Sequence, residues 1–181
     1  MPGITIVVKL HDKYFESYIG SFDLQLRVKE LGAQINDEYA NQELYLLIVL
    51  SGAFRFAADL SAQLHQNTEI GFIKLHSYSG TESTGLVTAQ LPPSEDIRGK
   101  HVLIVEDIVD TGTTIEYLMG LEGIQAAKSV KIASLLFKPE ADKKDFPVHY
   151  IGFEIPNLFV VGYGLDYNGL GRNLNDIYQL K

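Results

Sequence analysis

Val102-Leu103-Ile104-Val105-Glu106-Asp107-Ile108-Val109-Asp110-Thr111-Gly112-Thr113-Thr114 is the stretch on which the fold turns. An apolar run delivers two adjacent carboxylates, two residues separate them from a third, and Thr-Gly-Thr-Thr then opens a helix. Apolar runs without polar alternation belong to strands buried on both faces, as in a parallel sheet. Thr and Gly at a helix N-terminus offer free backbone N–H groups, hydroxyl donors and a positive dipole end, which together cradle phosphate. Three carboxylates beside such a cradle would repel a phosphate unless they bind something else. Sugar hydroxyls and Mg²⁺ are their natural partners. The combination asks for one ligand that carries both a phosphate and a diol. Asp110 alone would read as a helix N-cap; three carboxylates after a buried strand read as a site. A P-loop is excluded, because no G-x-x-x-x-G-K-[ST] occurs in the sequence.

The flanking sequence repeats the same grammar. Glu43 to Leu50 (ELYLLIVL) and Val130 to Phe137 (VKIASLLF) are two more apolar runs, and Ile4 to Leu10 and Ile70 to Leu75 read as further strands. Leu24, Val28, Leu31, Ile35 and Tyr39 form one helical stripe, with Ser21 as its expected N-cap. Ala53, Ala57, Leu60 and Leu64 form a second stripe, and Thr113 to Leu121 reads as a third helix. Ser77 to Thr84 (SYSGTEST) reads as a long surface loop. Strands alternating with helices predict an α/β fold: a doubly wound, mainly parallel sheet flanked by helices. Phe146 to Lys181, rich in Gly, Tyr and Asn, is expected to form short strands and loops capping the sheet's edge. Ligands of open α/β sheets sit beyond the carboxyl ends of the strands. That rule singles out Ser51 to Arg55, Glu106 to Thr114 and Lys138 to Glu140, each placed after a buried run.

At 181 residues the chain suits one domain. It has no Cys, which excludes disulfides, thiolate nucleophiles, cysteine zinc sites and iron–sulfur clusters. Its formal net charge of -8 argues against general nucleic-acid binding and against acidic membrane surfaces. The N-terminus lacks a signal-peptide core and the apolar runs are too short to span a bilayer, so a cytoplasmic protein is expected.

VLIVEDIVDTGTT resembles the phosphoribosyl-diphosphate (PRPP) signature of type I phosphoribosyltransferases. Leu50-Ser51-Gly52-Ala53-Phe54 resembles their diphosphate loop, Ser77-Tyr78 with Ser83-Thr84-Gly85 their mobile active-site loop, and Leu135-Leu136-Phe137-Lys138 their purine-contacting strand. Gly152 to Pro156, Phe159 to Tyr163, Leu165 to Asn168 and Arg172 to Leu174 are similar to the C-terminal hood of the hypoxanthine-guanine branch. The resemblance implies a type I phosphoribosyltransferase fold in one domain, 1–181, with a hood built mainly from 138–181 and the N-terminal segment. It implies purine salvage by a pentosyltransferase, moving the phosphoribosyl group of PRPP to hypoxanthine or guanine to give IMP or GMP and diphosphate. Homodimers or homotetramers are the usual assembly.

Roles carry over from the same resemblance. Asp110 is the implied base at purine N7. Glu106, Asp107, Asp110, Thr111, Gly112, Thr113 and Thr114 hold the ribose and the 5′-phosphate. Ser51, Gly52, Lys74 and Arg172 meet diphosphate, with a cis peptide expected at Leu50–Ser51. Lys138, Phe159, Val160 and Asp166 meet the purine; Ser77 and Tyr78 close over the site; Glu106, Asp107 and Asp166 hold Mg²⁺. An ammonium at Lys138 favours 6-oxo over 6-amino purines. Two positions depart from the family pattern: Ser51 and Thr113 stand where relatives often carry basic residues. Two rivals stay open, a nucleotide-sensing RNA-binding regulator and a transferase for xanthine or another base. The sequence does not decide among hypoxanthine, guanine and xanthine.

Overall fold

The apolar run of the opening stretch becomes strand β6 (His101–Val109), which pairs on one side with β3 (Leu44–Leu50) and on the other with β7 (Ser129–Phe137). The computed structural model describes residues 6–65, 67–77, 87–91, 97–144 and 146–181. Two further strands extend the sheet outward, β4 (Thr68–Ser77) beside β3 and β8 (Tyr150–Glu154) beside β7. All of these pairings are parallel, and β5 (Val87–Leu91) adds an antiparallel edge to β4. Among the described residues the order is β5-β4-β3-β6-β7-β8.

Burial on both faces explains why the strands show no alternation. Leu46, Ile48, Leu103 and Val105 pack under helices α1 (Ser21–Glu38) and α2 (Phe54–Ser61). Tyr45, Leu47, Val49, Val102 and Ile104 face the other way, under α3 (Thr113–Met119) and α4 (Glu122–Gln125). Each such side chain contributes about 1.5–3 kcal/mol of transfer free energy. The helical stripe of Leu24, Val28, Leu31, Ile35 and Tyr39 is buried as its spacing predicts.

A second, antiparallel sheet stands beside the first, in the order β1-β2-β10-β9. It joins the N-terminal hairpin, β1 (Val7–Leu10) and β2 (Lys13–Ile19), to β9 (Val160–Val161) and β10 (Ile177–Leu180). Phe15, Val161 and Tyr178 form its small core.

Three expectations need correction. Ser21 is not the N-cap of α1; Gly20 is, and it makes no side-chain cap bond. The Ser21 N–H instead donates to Asp176 Oδ1 at 2.7 Å, from a segment 155 residues away. Residues Tyr150–Glu154 are not part of a cap but strand β8 of the main sheet. Glu106 and Asp107 do not follow their strand; β6 runs on through Val109, because Ile108 and Val109 still pair with Leu136 and Phe137.

Candidate active site

The ends of β6 and β7 are tied together, since the Lys138 N–H donates to the Val109 carbonyl at 3.0 Å. That bond places Asp110 beside Lys138, and the ammonium donates to Asp110 Oδ2 at 2.9 Å. Lys138 is buried, with only 7% of its surface exposed, whereas the Asp110 side chain is 42% exposed. A buried ammonium needs partners. Lys138 finds a second one in Asn157 Oδ1 at 3.3 Å.

Beyond Asp110 the chain turns into α3 through Gly112, whose φ is 74°. A Cβ there would stand 2.8 Å from Asp142 Oδ1 and 2.9 Å from Lys144 Cβ, so glycine alone fits the turn. Glu106, Asp110, Thr111, Gly112, Thr113 and Thr114 line a pocket of about 70 Å³. The hydroxyls of Thr111 and Thr113 lie 3.0 Å apart in it. Helix-opening N–H groups have no partner inside their helix and remain for a ligand.

Glu106 of the pocket wall and its neighbour Asp107 are the two adjacent carboxyls. Glu106 is 7% exposed, and its Oε2 is buried without a hydrogen-bond partner among the described residues. Burial first, and then the Asp107 charge, push its pKa well above the usual carboxylate range. Burial pushes Asp107 up to about 6, although the Ile108 N–H donates to its Oδ1 at 2.9 Å. Carboxyls held out of water this way gain from a ligand that brings hydroxyl donors or a hard cation.

The turn after β3 lies directly against Asp107. A Cβ on Gly52 would be 1.6 Å from Asp107 Oδ2, and one on Gly164 would be 2.1 Å from the Gly52 carbonyl oxygen. Three segments therefore stack here: the Asp107 carboxyl of β6, the Ser51–Gly52 turn, and the loop around Gly164. The Leu50–Ser51 peptide is cis, as the resemblance implies. Lys74 stands opposite Leu50 in the β3–β4 register, at the same end of the sheet.

The loop after β9 carries Asp166 and Arg172, which pair with each other at 2.6 Å. Arg172 also donates to the Gly164 carbonyl at 2.7 Å, and Asp166 Oδ2 accepts the Gly169 N–H at 2.7 Å. Phe159 is 46% exposed at the start of this region, beside Phe15 and Tyr167. Val160 is buried in β9, its backbone paired with Gln179. Ser77 ends β4, while Tyr78 and 83–85 lie outside the described residues. Among the described residues no group of three or more His, Asp or Glu side chains is gathered to hold a metal unaided.

The structure thus brings Glu106, Asp107, Asp110, Gly112 and Lys138 together, and brings Gly52 against them. Sequence reasoning missed Asn157 as a partner of Lys138, and missed the bond that the Tyr167 hydroxyl donates to Asp12 Oδ1 at 2.9 Å. It also missed the packing of Gly164 on Gly52. Each joins positions far apart in the chain, and no local spacing signals it.

Comparison with known proteins agrees with this geometry. The family model described as "Phosphoribosyl transferase domain" matches residues 23–168. A hypoxanthine-guanine phosphoribosyltransferase of Bacillus subtilis (strain 168) is 42% identical over 164 residues, covering 90% of this chain and 91% of the relative. A hypoxanthine phosphoribosyltransferase of Salmonella typhimurium is 41% identical over 162 residues, covering 88% of this chain and 91% of the relative. The crystal structure of a hypoxanthine phosphoribosyltransferase from Staphylococcus aureus superposes with a TM-score of 0.86 at 41% identity, covering 92% of this chain and 91% of that one. With the paired carboxyls inside β6 and the Thr-Gly turn and the Lys138–Asp110 pair just beyond the strand ends, the chain belongs to the phosphoribosyl transferase family, on its hypoxanthine-guanine branch.

Proposed function

We propose that this chain salvages purines, transferring the 5-phosphoribosyl group of PRPP to hypoxanthine or guanine and releasing diphosphate. The observation that carries the reading is the Lys138–Asp110 pair at 2.9 Å beside the Thr111–Thr114 cradle. One wall supplies phosphate donors and the other supplies a cation and an anion for the two edges of a 6-oxopurine.

In this reading the cradle holds the 5′-phosphate, and Glu106 and Asp107 accept from the ribose hydroxyls. Lys138 donates to the 6-oxo group, and Phe159, half exposed, stacks on the base. The purine N9 lone pair forms the bond to the ribose anomeric carbon as that carbon's bond to diphosphate oxygen breaks. The N7 proton passes to Asp110 Oδ. Lys138 Nζ, donating to Asp110 Oδ2, fixes where that carboxyl group stands. The Ser51–Gly52 turn, Lys74 and Arg172 receive the leaving diphosphate. Donors already in place where charge develops avoid reorganisation during the reaction.

The donor set also fits Mg²⁺. Glu106 and Asp107 present oxygen ligands, one of them without a partner, and Asp166 is the third residue we assign to it. Mg²⁺ is usually held by one or two carboxylates plus substrate phosphates and waters, so no three-residue cage is needed. When bound it would neutralise diphosphate charge.

A panel of free bases with PRPP and Mg²⁺, read as nucleotide formation, tests the proposal. Hypoxanthine and guanine are expected to react and adenine to fail; no product from any 6-oxopurine overturns it. Activity is expected to vanish in EDTA and return with Mg²⁺. A homodimer or homotetramer and a cytoplasmic location complete the proposal, and light scattering reads the former. Among the described residues no helix is long and apolar enough to cross a membrane.

A further inference from the structure

A polar network with no role assigned to it binds the two helices of one face to the loop that carries Asp166 and Arg172. Tyr163 is its centre. This side chain is 1% exposed, and its φ of 49° is in the left-handed region that non-glycine residues rarely occupy. Such a conformation persists only where the surroundings hold it. Here the Tyr163 hydroxyl donates to Asp59 Oδ2 of α2 at 2.5 Å, and Gln25 Nε2 of α1 donates to the same oxygen at 2.5 Å. Burial, and next the Asp59 hydrogen bond, raise the Tyr163 pKa, so the phenol stays protonated and remains the donor.

Arg55, also on α2, holds the other end of the loop. Its Nη1 donates to the carbonyls of Leu174 at 2.7 Å and Asn173 at 3.2 Å, and its Nη2 to Asn175 Oδ1 at 3.0 Å. The guanidinium lies 5.1 Å from the centre of the Tyr163 ring. Between these two anchors the loop passes Gly164 over the Gly52 carbonyl, with no room for a side chain. Arg172 then reaches back to the Gly164 carbonyl. The packing of Gly164 on the Gly52 carbonyl, and the place of Arg172, which holds Gly164, therefore depend on where α2 holds Tyr163 and Leu174.

We propose that Asp59, Tyr163 and Arg55 are positioning residues for the diphosphate end of the site, setting the Asp166–Arg172 loop against the Ser51–Gly52 turn. The inference rests on the PRPP reading given above. It predicts a skewed effect: Lys138, Phe159 and Val160 are left in place, so that of the purine contacts only Asp166 is disturbed, while the grip on PRPP weakens more.

The test uses the full chain with Mg²⁺, reading PRPP affinity by calorimetry and both Michaelis constants. Tyr163→Phe keeps the ring and removes one hydrogen bond to a carboxylate. The PRPP Kd and KM are expected to rise about tenfold, the size of effect such a bond carries, while the hypoxanthine KM stays within about twofold. Asp59→Asn still accepts the hydroxyl and is expected to bind PRPP nearly as the parent does, whereas Asp59→Ala should follow Tyr163→Phe. Should Tyr163→Phe fail to fold, Arg55→Met carries the same split. Parental PRPP affinity in the folded variants, or equal rises in both Michaelis constants, overturns the inference alone. A parent chain that binds no PRPP overturns the underlying reading as well.

Discussion

Asp110 and Asp107 are both acidic side chains of one short segment, yet their surroundings give them different work. Asp110 is half exposed and paired with Lys138. Removing a general base typically costs about 10²–10⁴-fold in turnover. Asp110→Asn is therefore expected to lose that much kcat with PRPP affinity retained; unchanged turnover would remove Asp110 from the chemistry. Asp107 is governed by burial, which lifts its pKa from 3.8 to about 6 in the folded chain. A raised carboxyl favours the folded state only while protonated. Its contribution is complete below about pH 3.8 and is lost as pH rises through about 6. The free protein at pH 8 thus bears the full cost of an ionised Asp107. Asp107→Asn is expected to stabilise the free protein at pH 8 by about 1–3 kcal/mol and to lose this advantage near pH 4, as read by urea unfolding at the two pH values. In the proposed reading PRPP binding runs the other way: the ribose hydroxyls or Mg²⁺ would meet Asp107 as a carboxylate, so calorimetry is expected to show affinity falling as pH drops below about 6.

Elements here are finished by partners remote in sequence. Helix α1 has no side-chain cap of its own, and Asp176 supplies one across the molecule. Losing a capping acceptor costs about 0.5–2 kcal/mol. In a chain of this size that amounts to a Tm drop of about 1–8 °C, expected for Asp176→Ala in a thermal melt; an unchanged Tm would show that the bond contributes nothing. The edge strand β8 is finished in the same way. Arg27 of α1 donates to the carbonyls of Ile151 at 2.7 Å and Gly152 at 2.9 Å, covering part of a strand edge that would otherwise be open.

At the scale of the whole molecule, the proposed reading divides the ligand between two sheets. The parallel sheet supplies the cradle, the carboxyls and Lys138, and the small antiparallel sheet supplies Phe159 and Val160. Phe15 sits fully buried in that small sheet, and its ring centre is 6.2 Å from that of Phe159. Phe→Ala changes in cores cost about 3–5 kcal/mol, a large share of so small a cluster's stability. Phe15→Ala is expected to loosen the small sheet and raise the KM for hypoxanthine more than that for PRPP. Hydrogen exchange should speed at Val161 and Tyr178 and not at Leu103 and Val105; uniform exchange would contradict this division.

The local pattern was enough to show an apolar strand leading into a Thr- and Gly-rich turn that opens a helix, because a strand buried on both faces must be apolar throughout and a tight turn with positive φ takes glycine. It was also enough to place Lys138 after its strand and to predict the helical stripe of α1, whose spacing follows from the helix period. Only the tertiary structure showed that β6 continues through Val109, that Asp176 caps α1, that Asn157 shares Lys138, and that Gly164 packs on Gly52. These contacts join residues from 19 to 155 positions apart. Hydrogen bonding and close packing depend on distance in space, and chain spacing carries no record of which distant segments the folded backbone brings together.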